Sequence, residues 1–251
     1  MTMGAHQALQ RALPAVSRGA ATDLLLLKEG AREVIRMSCD SAAADGIVAG
    51  CIGLGLAATR WHGSVMPVSY AAGTTFVLAS VPSRPGEAGR RTFVFAGRSA
   101  DTVAAAARLV DDDEATGEIL GYPGCCVCAY RANIEHHLSA LEPSFAREQA
   151  GPWPFWCNSP MDVLGWHLLS HFPCAPSCAA SREAALTHFR ALARADAPFA
   201  MATLLRLRTI VFIGASGLAY GHEENGAFAP AGFSDSWNPA SARRYDFTGN
   251  A

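Results

Sequence analysis

The sequence is short of charge and of long apolar runs, and both shortages narrow what it can be. Charged residues make up 17% of the chain, split between 20 basic and 22 acidic side chains for a formal net charge of −2. The basic residues are scattered, which leaves no electrostatic footprint for nucleic acid or for an acidic membrane surface. The longest apolar run, residues 47–59, is bounded by Asp45 and Arg60 and loosened by Gly50, Gly53 and Gly55. It is too short for a bilayer core, which needs about 20 residues, so it reads as a buried helix or strand. Residues 1–19 contain no uninterrupted apolar core followed by a cleavage site. The expectation is a cytoplasmic protein without a membrane partner.

Several cofactor motifs are missing as well. There is no radical-SAM spacing, no complete dinucleotide fingerprint, no repeated C-x-x-C of the common zinc modules and no ferredoxin run. Internal repeats are also absent.

What is present is enough apolar material for a sizeable core, half of the 251 residues, and a patterned chain. Residues 1 to about 30 read as helical, with Leu9, Leu13 and Val16 preceding the Leu24-Leu25-Leu26-Leu27 run. Residues 65–81 are rich in β-branched and aromatic side chains, and a turn at 82–89 leads to a second strand at 91–96 in a hairpin pattern. Ser99 or Asp101 can cap a helix through the alanine-rich stretch that follows. The acidic run at 111–114 reads as a helix start, where carboxylates meet the positive end of the dipole. Helices are expected from the cysteines after Gly124 towards residue 141, over 161–171, and from Ser177 or Cys178 to Ala195. The aromatic, Pro-rich stretch 143–160 reads as an ordered loop, 209–215 as a buried strand, and the tail after Gly221 yields no element. The fold class is α/β: one domain over residues 1–251, with a mixed sheet flanked by helices that includes 74–78, 92–96 and 209–213.

Eight cysteines in a reducing compartment are not a disulfide scaffold. Cys39, Cys51 and Cys157 are isolated and read as small buried hydrophobes. The other five fall in two groups within residues 119–195: Gly121-Tyr122-Pro123-Gly124-Cys125-Cys126-Val127-Cys128, and His171-Phe172-Pro173-Cys174-Ala175-Pro176-Ser177-Cys178. Each group combines a Pro-containing turn, cysteine at the mouth of a helix and a helical pattern beyond. Helix N-termini carry unpaired N–H groups and partial positive charge, which lower thiol pKa and favour thiolate bound to metal. Cys174 and Cys178, at i and i+4, can point to one side of a turn. Cys125 and Cys126 are adjacent and do not share a helix face, whereas Cys125 and Cys128 do. Geometry alone therefore favours that pair, or else Cys126 in a turn still irregular. His171 is a candidate ligand or proton carrier, and His167, one turn earlier, a candidate to line the same pocket.

The segments Leu120-Gly121-Tyr122-Pro123-Gly124-Cys125-Cys126 and His171-Phe172-Pro173-Cys174-Ala175-Pro176-Ser177-Cys178 resemble those of an uncharacterised archaeal and bacterial family. Its members carry a Leu-Gly-Tyr-Pro-x-Cys-Cys segment and a later His-x-Pro-Cys-x-x-x-Cys segment. The resemblance covers roughly residues 92–195. It implies a ligand set of Cys125, Cys126, Cys174 and Cys178, with Cys128 a local extra, and it implies no activity.

Soft thiolates select zinc, copper(I) or iron–sulfur clusters. A closed four-cysteine zinc site would stabilise a domain lacking a core, which this chain does not lack, so the expectation tilts to a [4Fe–4S] cluster. With three ligands and an open iron, such a cluster suits an enzyme acting on a small molecule or nucleoside by sulfur transfer, desulfuration or elimination. Cys128 would then assist as a thiol, and His171 or His167 as proton carrier. The alternatives are a zinc-stabilised interaction or scaffold protein, and a metal-free thiol enzyme with Cys126 as nucleophile and His171 as base. Other features carry less chemistry. Gly214-Ala215-Ser216-Gly217 reads as a close-packed turn, His136-His137 as a surface pair and His222-Glu223-Glu224 as a solvated loop, and Trp61-His62 is read in the same way.

Overall fold

A break at Pro14 divides the helical start of the chain. Proline disfavours helix in the residue before it, and α1 (Ala5–Ala12) ends there. The chain restarts as α2 (Arg18–Lys28), where the Ser17 hydroxyl accepts the Ala20 N–H at 3.2 Å. The structure, a computed structural model, describes residues 3–72, 75–82, 90–134, 151–214, 217–224, 227–233 and 243–249. His136-His137, residues 143–150 of the loop 143–160 and the turn residues 83–89 lie outside these, as do Ala215 and Ser216.

After α2 come β1 (Val34–Asp40), α3 (Ala44–Gly53), β2 (Ala57–Arg60), β3 (Val65–Ala72), β4 (Thr75–Pro82) and β5 (Arg91–Gly97). The apolar run 47–59 thus becomes the end of a helix and the start of a strand. Strand β5 is central, with β1 antiparallel on one side and β2, then β3, on the other; β4 pairs with β3. The hairpin is therefore β3–β4, and β5 does not pair with β4 as its position in the sequence suggested. Alternation gives the sheet two faces. Ile35, Met37, Cys39, Val94 and Ala96 enter the main core, while Val34 and Phe95 face Val103, Ala106 and Leu120 on the other side.

Helices α4 (Ala100–Arg108) and α5 (Asp113–Ile119) follow, capped by Ser99 and Asp112, which accept the N–H groups of Thr102 and of Glu114 and Ala115. The acidic run is thus a cap and a first turn. Helix α6 (Gly124–Ile134) leads to two short 3-10 turns, Phe155–Cys157 and Ser159–Leu164, then α7 (Ala179–Ala195) and α8 (Ala197–Leu207). Strands β6 (Ile210–Gly214), β7 (Gly217–Glu224), β8 (Ala227–Phe233) and β9 (Arg243–Asp246) form a second sheet in the order β8-β7-β6-β9. The expected single mixed sheet is instead two antiparallel sheets: the links β3–β4, β6–β7 and β7–β8 are too short for a parallel crossover, and the long-range pairs β1–β5 and β6–β9 are antiparallel as well. His222, Glu223 and Glu224 lie in β7 rather than in a loop.

Helices and strands share one main core, as expected of a single α/β domain, beside the smaller cluster around Val34 and Phe95. The main core runs from Leu9 to Phe247 and includes Cys126, Cys157 and Cys178. Cys39, Cys51 and Cys157 are buried as small apolar groups, and burial raises all three thiols. No helix among the described residues is long and apolar enough to cross a membrane.

Candidate metal centre

The first cysteine pair is positioned by the end of α5. Gly121, at φ 76°, takes the left-handed conformation that closes that helix. Its N–H reaches the Glu118 carbonyl, and the Tyr122 N–H reaches that of Gly117, both at 2.9 Å. Pro123 follows where no N–H is needed, and its carbonyl accepts from Cys126 at 2.8 Å and Val127 at 3.0 Å to start α6. Cys125 and Cys126 thus sit in the first turn of a helix, where adjacent side chains flank the same open end.

The second pair comes from the turn before α7. Cys178 is the N-cap of that helix, with its sulfur accepting the Ser181 N–H at 3.5 Å. Cys174 lies in the preceding turn and donates its backbone N–H to the Cys126 sulfur at 3.4 Å. The Sγ atoms of Cys125, Cys126, Cys174 and Cys178 all lie within 4.8 Å of one another. Cys125 is 3.9 Å from Cys126 and 3.7 Å from Cys178, and Cys126 is 3.7 Å from Cys178. Two helix N-termini therefore converge on four sulfurs that could hold a metal ion. Cys128 is exposed and stands outside this group. The Cys125–Cys128 pairing favoured by face-sharing is not the one formed, because the first helical turn already brings Cys126 inward.

Four thiols this close are electrostatically unequal. Burial works against ionisation of Cys178, but hydrogen bonds from Ser181 and from the Cys174 and Cys126 thiols outweigh it and bring Cys178 down to about 6. Burial pushes Cys126 up to about 11, and burial together with the neighbouring sulfurs raises Cys174. One thiolate forms readily; the rest need a cation to offset mutual repulsion.

Sequence reasoning missed Ser181. It is fully buried, with its hydroxyl 3.1 Å from the Cys126 sulfur and 2.9 Å from His171 Nε2. The signal was its place three residues after a capping cysteine, the position of a capping-box partner. His171 contacts the centre through Ser181, and its ring lies 5.2 Å from that of Tyr122. Burial, then the Arg32 and His188 charges, hold it down to about 3, so it is neutral.

His167 is elsewhere. The helix expected over 161–171 does not form: the 3-10 turn ends at Gly165, φ 74°, against which α2 packs so closely that a Cβ would meet Gly19 N at 2.9 Å. The chain then turns His167 towards α2, with Nε2 3.2 Å from Asp23 Oδ1 and Nδ1 2.6 Å from Asp162 Oδ1. The second contact is an ion pair without hydrogen-bond alignment. Ser170 donates to Asp23 at 3.0 Å, and Arg32 donates to Ser170 at 2.9 Å and lies 3.7 Å from Asp23. Burial opposes the His167 charge, but Asp162 and Asp23 outweigh it and raise His167 to about 10. Burial likewise opposes the Asp23 charge, but Arg32 and His167 hold that carboxyl well below the usual range. The result is a buried, charged network that sequence spacing did not reveal, since Asp23 and His167 are far apart in the chain.

Of the remaining sites, Trp61 packs beside Phe93 with ring centroids 5.6 Å apart, and His62 is exposed. Comparison of the chain with known protein families, with curated proteins and with solved structures finds no match.

Proposed function

We propose that this is a metal-binding protein in which Cys125, Cys126, Cys174 and Cys178 hold one soft ion, zinc foremost, and so tie α6 to the start of α7. The observation that carries this is the sulfur spacing. Four thiolates bonded to one zinc at about 2.3 Å stand about 3.8 Å apart at the tetrahedral angle; the sulfurs of Cys125, Cys126 and Cys178 are 3.7 to 3.9 Å apart here, and that of Cys174 lies within 4.8 Å of them. A [4Fe–4S] cube puts each thiolate on its own iron, on the order of 6 Å from the next. It would require the two turns to part, so the cluster with an open iron, expected from the sequence, is the second reading. The thiol-enzyme reading has less support, because Cys126 is buried and raised and His171 meets Ser181 rather than a sulfur.

That the two motif segments meet at one centre supports kinship with the family carrying them. A cytoplasmic location belongs to the same proposal, supported by eight free cysteines. The test is anaerobic purification with metal analysis and an absorption spectrum. A colourless protein with one zinc is expected. On cobalt(II) substitution it should give the charge-transfer and ligand-field bands of a tetrahedral four-thiolate site. Cys178→Ala should lose the ion and Cys128→Ala keep it. A brown protein with about four irons would overturn the single-ion reading.

A further inference from the structure

A cleft of about 480 Å³ opens along the outer edge of β1, between the start of α2 and the chain around Asp162 to Ser170. Strand alternation builds one wall: Arg36 and Ser38 on β1, with Phe93 and Arg91 on β5, share a sheet face. Arg91 is fixed by Ser38, donating from Nε to the hydroxyl at 2.9 Å and from a terminal nitrogen to the carbonyl at 2.7 Å. The Arg36 guanidinium lies 5.1 Å over the Phe93 ring. Across the cleft, Arg18 in the first turn of α2 lies 4.6 Å over the Trp166 ring, and His167 closes the floor.

The charges do not balance. Arg18, Arg36, Arg91 and His167 face two carboxylates, Asp23 and Asp162. Both of these are already engaged by His167, and Asp23 also by Arg32. Among the described residues no carboxylate pairs with Arg18, Arg36 or Arg91. Three arginines thus line a polar hollow, with Arg36 seated over Phe93, Arg91 fixed by Ser38, and Arg18 lying over Trp166 with Nη1 donating to the Leu164 carbonyl at 3.5 Å.

We propose that this cleft binds the phosphate group of a small molecule. A dianion matches the uncompensated charge, whereas a single carboxylate would leave part of it unmet. Guanidinium groups present planar, paired donors suited to phosphate oxygens, and the start of α2 adds favourable potential at the same mouth. Arg36, Tyr122 and Ser170 also line a smaller hollow of about 130 Å³ that reaches Cys126 and His171. The rest of such a ligand therefore has room to extend towards the cysteine centre. The proposal stands independently of which ion that centre holds.

The test uses inorganic phosphate as the probe, followed by ³¹P line broadening as the full-length, metal-loaded protein is titrated at constant ionic strength. Direct broadening separates binding from the general stabilising effect of phosphate on protein surfaces. Saturable broadening is expected, weakened about tenfold or more in Arg36→Gln and in Arg91→Gln, with acetate a poor competitor. Circular dichroism and metal content, measured on each variant, should be unchanged. Arg18→Gln, at the first turn of α2, is the second probe should a strand variant fail to fold, and it too should weaken binding. Absence of saturable broadening up to about 50 mM phosphate would overturn the proposal. So would unchanged affinity in the folded arginine variants, or acetate competing as well as phosphate itself.

Discussion

Ser181 and His167 show how one buried side chain settles what its neighbours can do. Ser181 links His171 to the Cys126 sulfur from a fully buried position. Replacing it by Ala leaves His171 Nε2 facing a void and takes a hydroxyl from the sulfur, at a cost of about 1–3 kcal/mol. Loss of such an outer partner also weakens metal binding about tenfold or more. Chemical unfolding and competition with a chromophoric chelator measure the two effects; unchanged metal affinity would reduce Ser181 to packing. His167 carries a pH signature. Its pKa is raised to about 10 in the folded chain, so its stabilising contribution is complete below about 6.5, the unfolded value, and is lost as pH rises towards 10. Asp162 is half exposed, so solvent screening reduces the gain to about 2 kcal/mol. Thermal unfolding at pH 6 and pH 9.5 should show this loss in the native chain and not in His167→Gln. Equal pH dependence in both would remove the charge assigned to His167.

At the scale of elements, the turn between α5 and α6 aims the first cysteine pair. Gly121 holds a positive φ there, so Gly121→Ala should cost about 1 kcal/mol and lower metal affinity while Cys125 and Cys126 remain in place. Differential scanning calorimetry and zinc competition read both; a variant indistinguishable from the native chain would mean that α6 is aimed by its packing alone. This turn was legible in the sequence because its signals are local: the acidic run 111–114 as a helix start, the end of that helix before Gly121, and the Pro-containing turn with the cysteines as the next start. The cysteine turn before α7 was legible for the same reason. The span 161–171 misled because its apolar spacing fits a helix, while Gly165 is set by the approach of α2, a contact between residues distant in sequence. Strands β1, β7, β8 and β9 and helix α8 went unread. β1 has one face in the core and one on a cleft, so Arg36 and Ser38 break the apolar pattern, and β7 to β9 sit in a tail rich in Gly and Pro. Sheet order also depends on long-range pairing, as when β1 joins β5 across the intervening strands.

The whole molecule places the centre at the edge of its main core, with Cys126 and Cys178 inside and Cys125 exposed, rather than on an appended module. Cys126 and Cys178 are buried within the same apolar cluster as Leu24, Leu168 and Leu192, and Cys174 packs against it. An ion bound there holds α6 and α7 together through core residues, so removing it should loosen the fold as a whole. An ion present at about a thousand times its dissociation constant stabilises the folded state by about 4 kcal/mol, which for a chain of this size shifts the melting temperature by about 10 °C. Treatment with a strong chelator under reducing, anaerobic conditions should lower the melting temperature by that order, and stoichiometric zinc should restore it. Cys178→Ala should start near the lower value and respond to neither reagent, while Cys128→Ala, whose sulfur is outside the group, should follow the native chain. Hydrogen exchange should place the greatest loss of protection at the first turns of α6 and α7. If the chelated protein instead melts as the native one does, with exchange unchanged at those turns, the four sulfurs do not hold a stabilising ion.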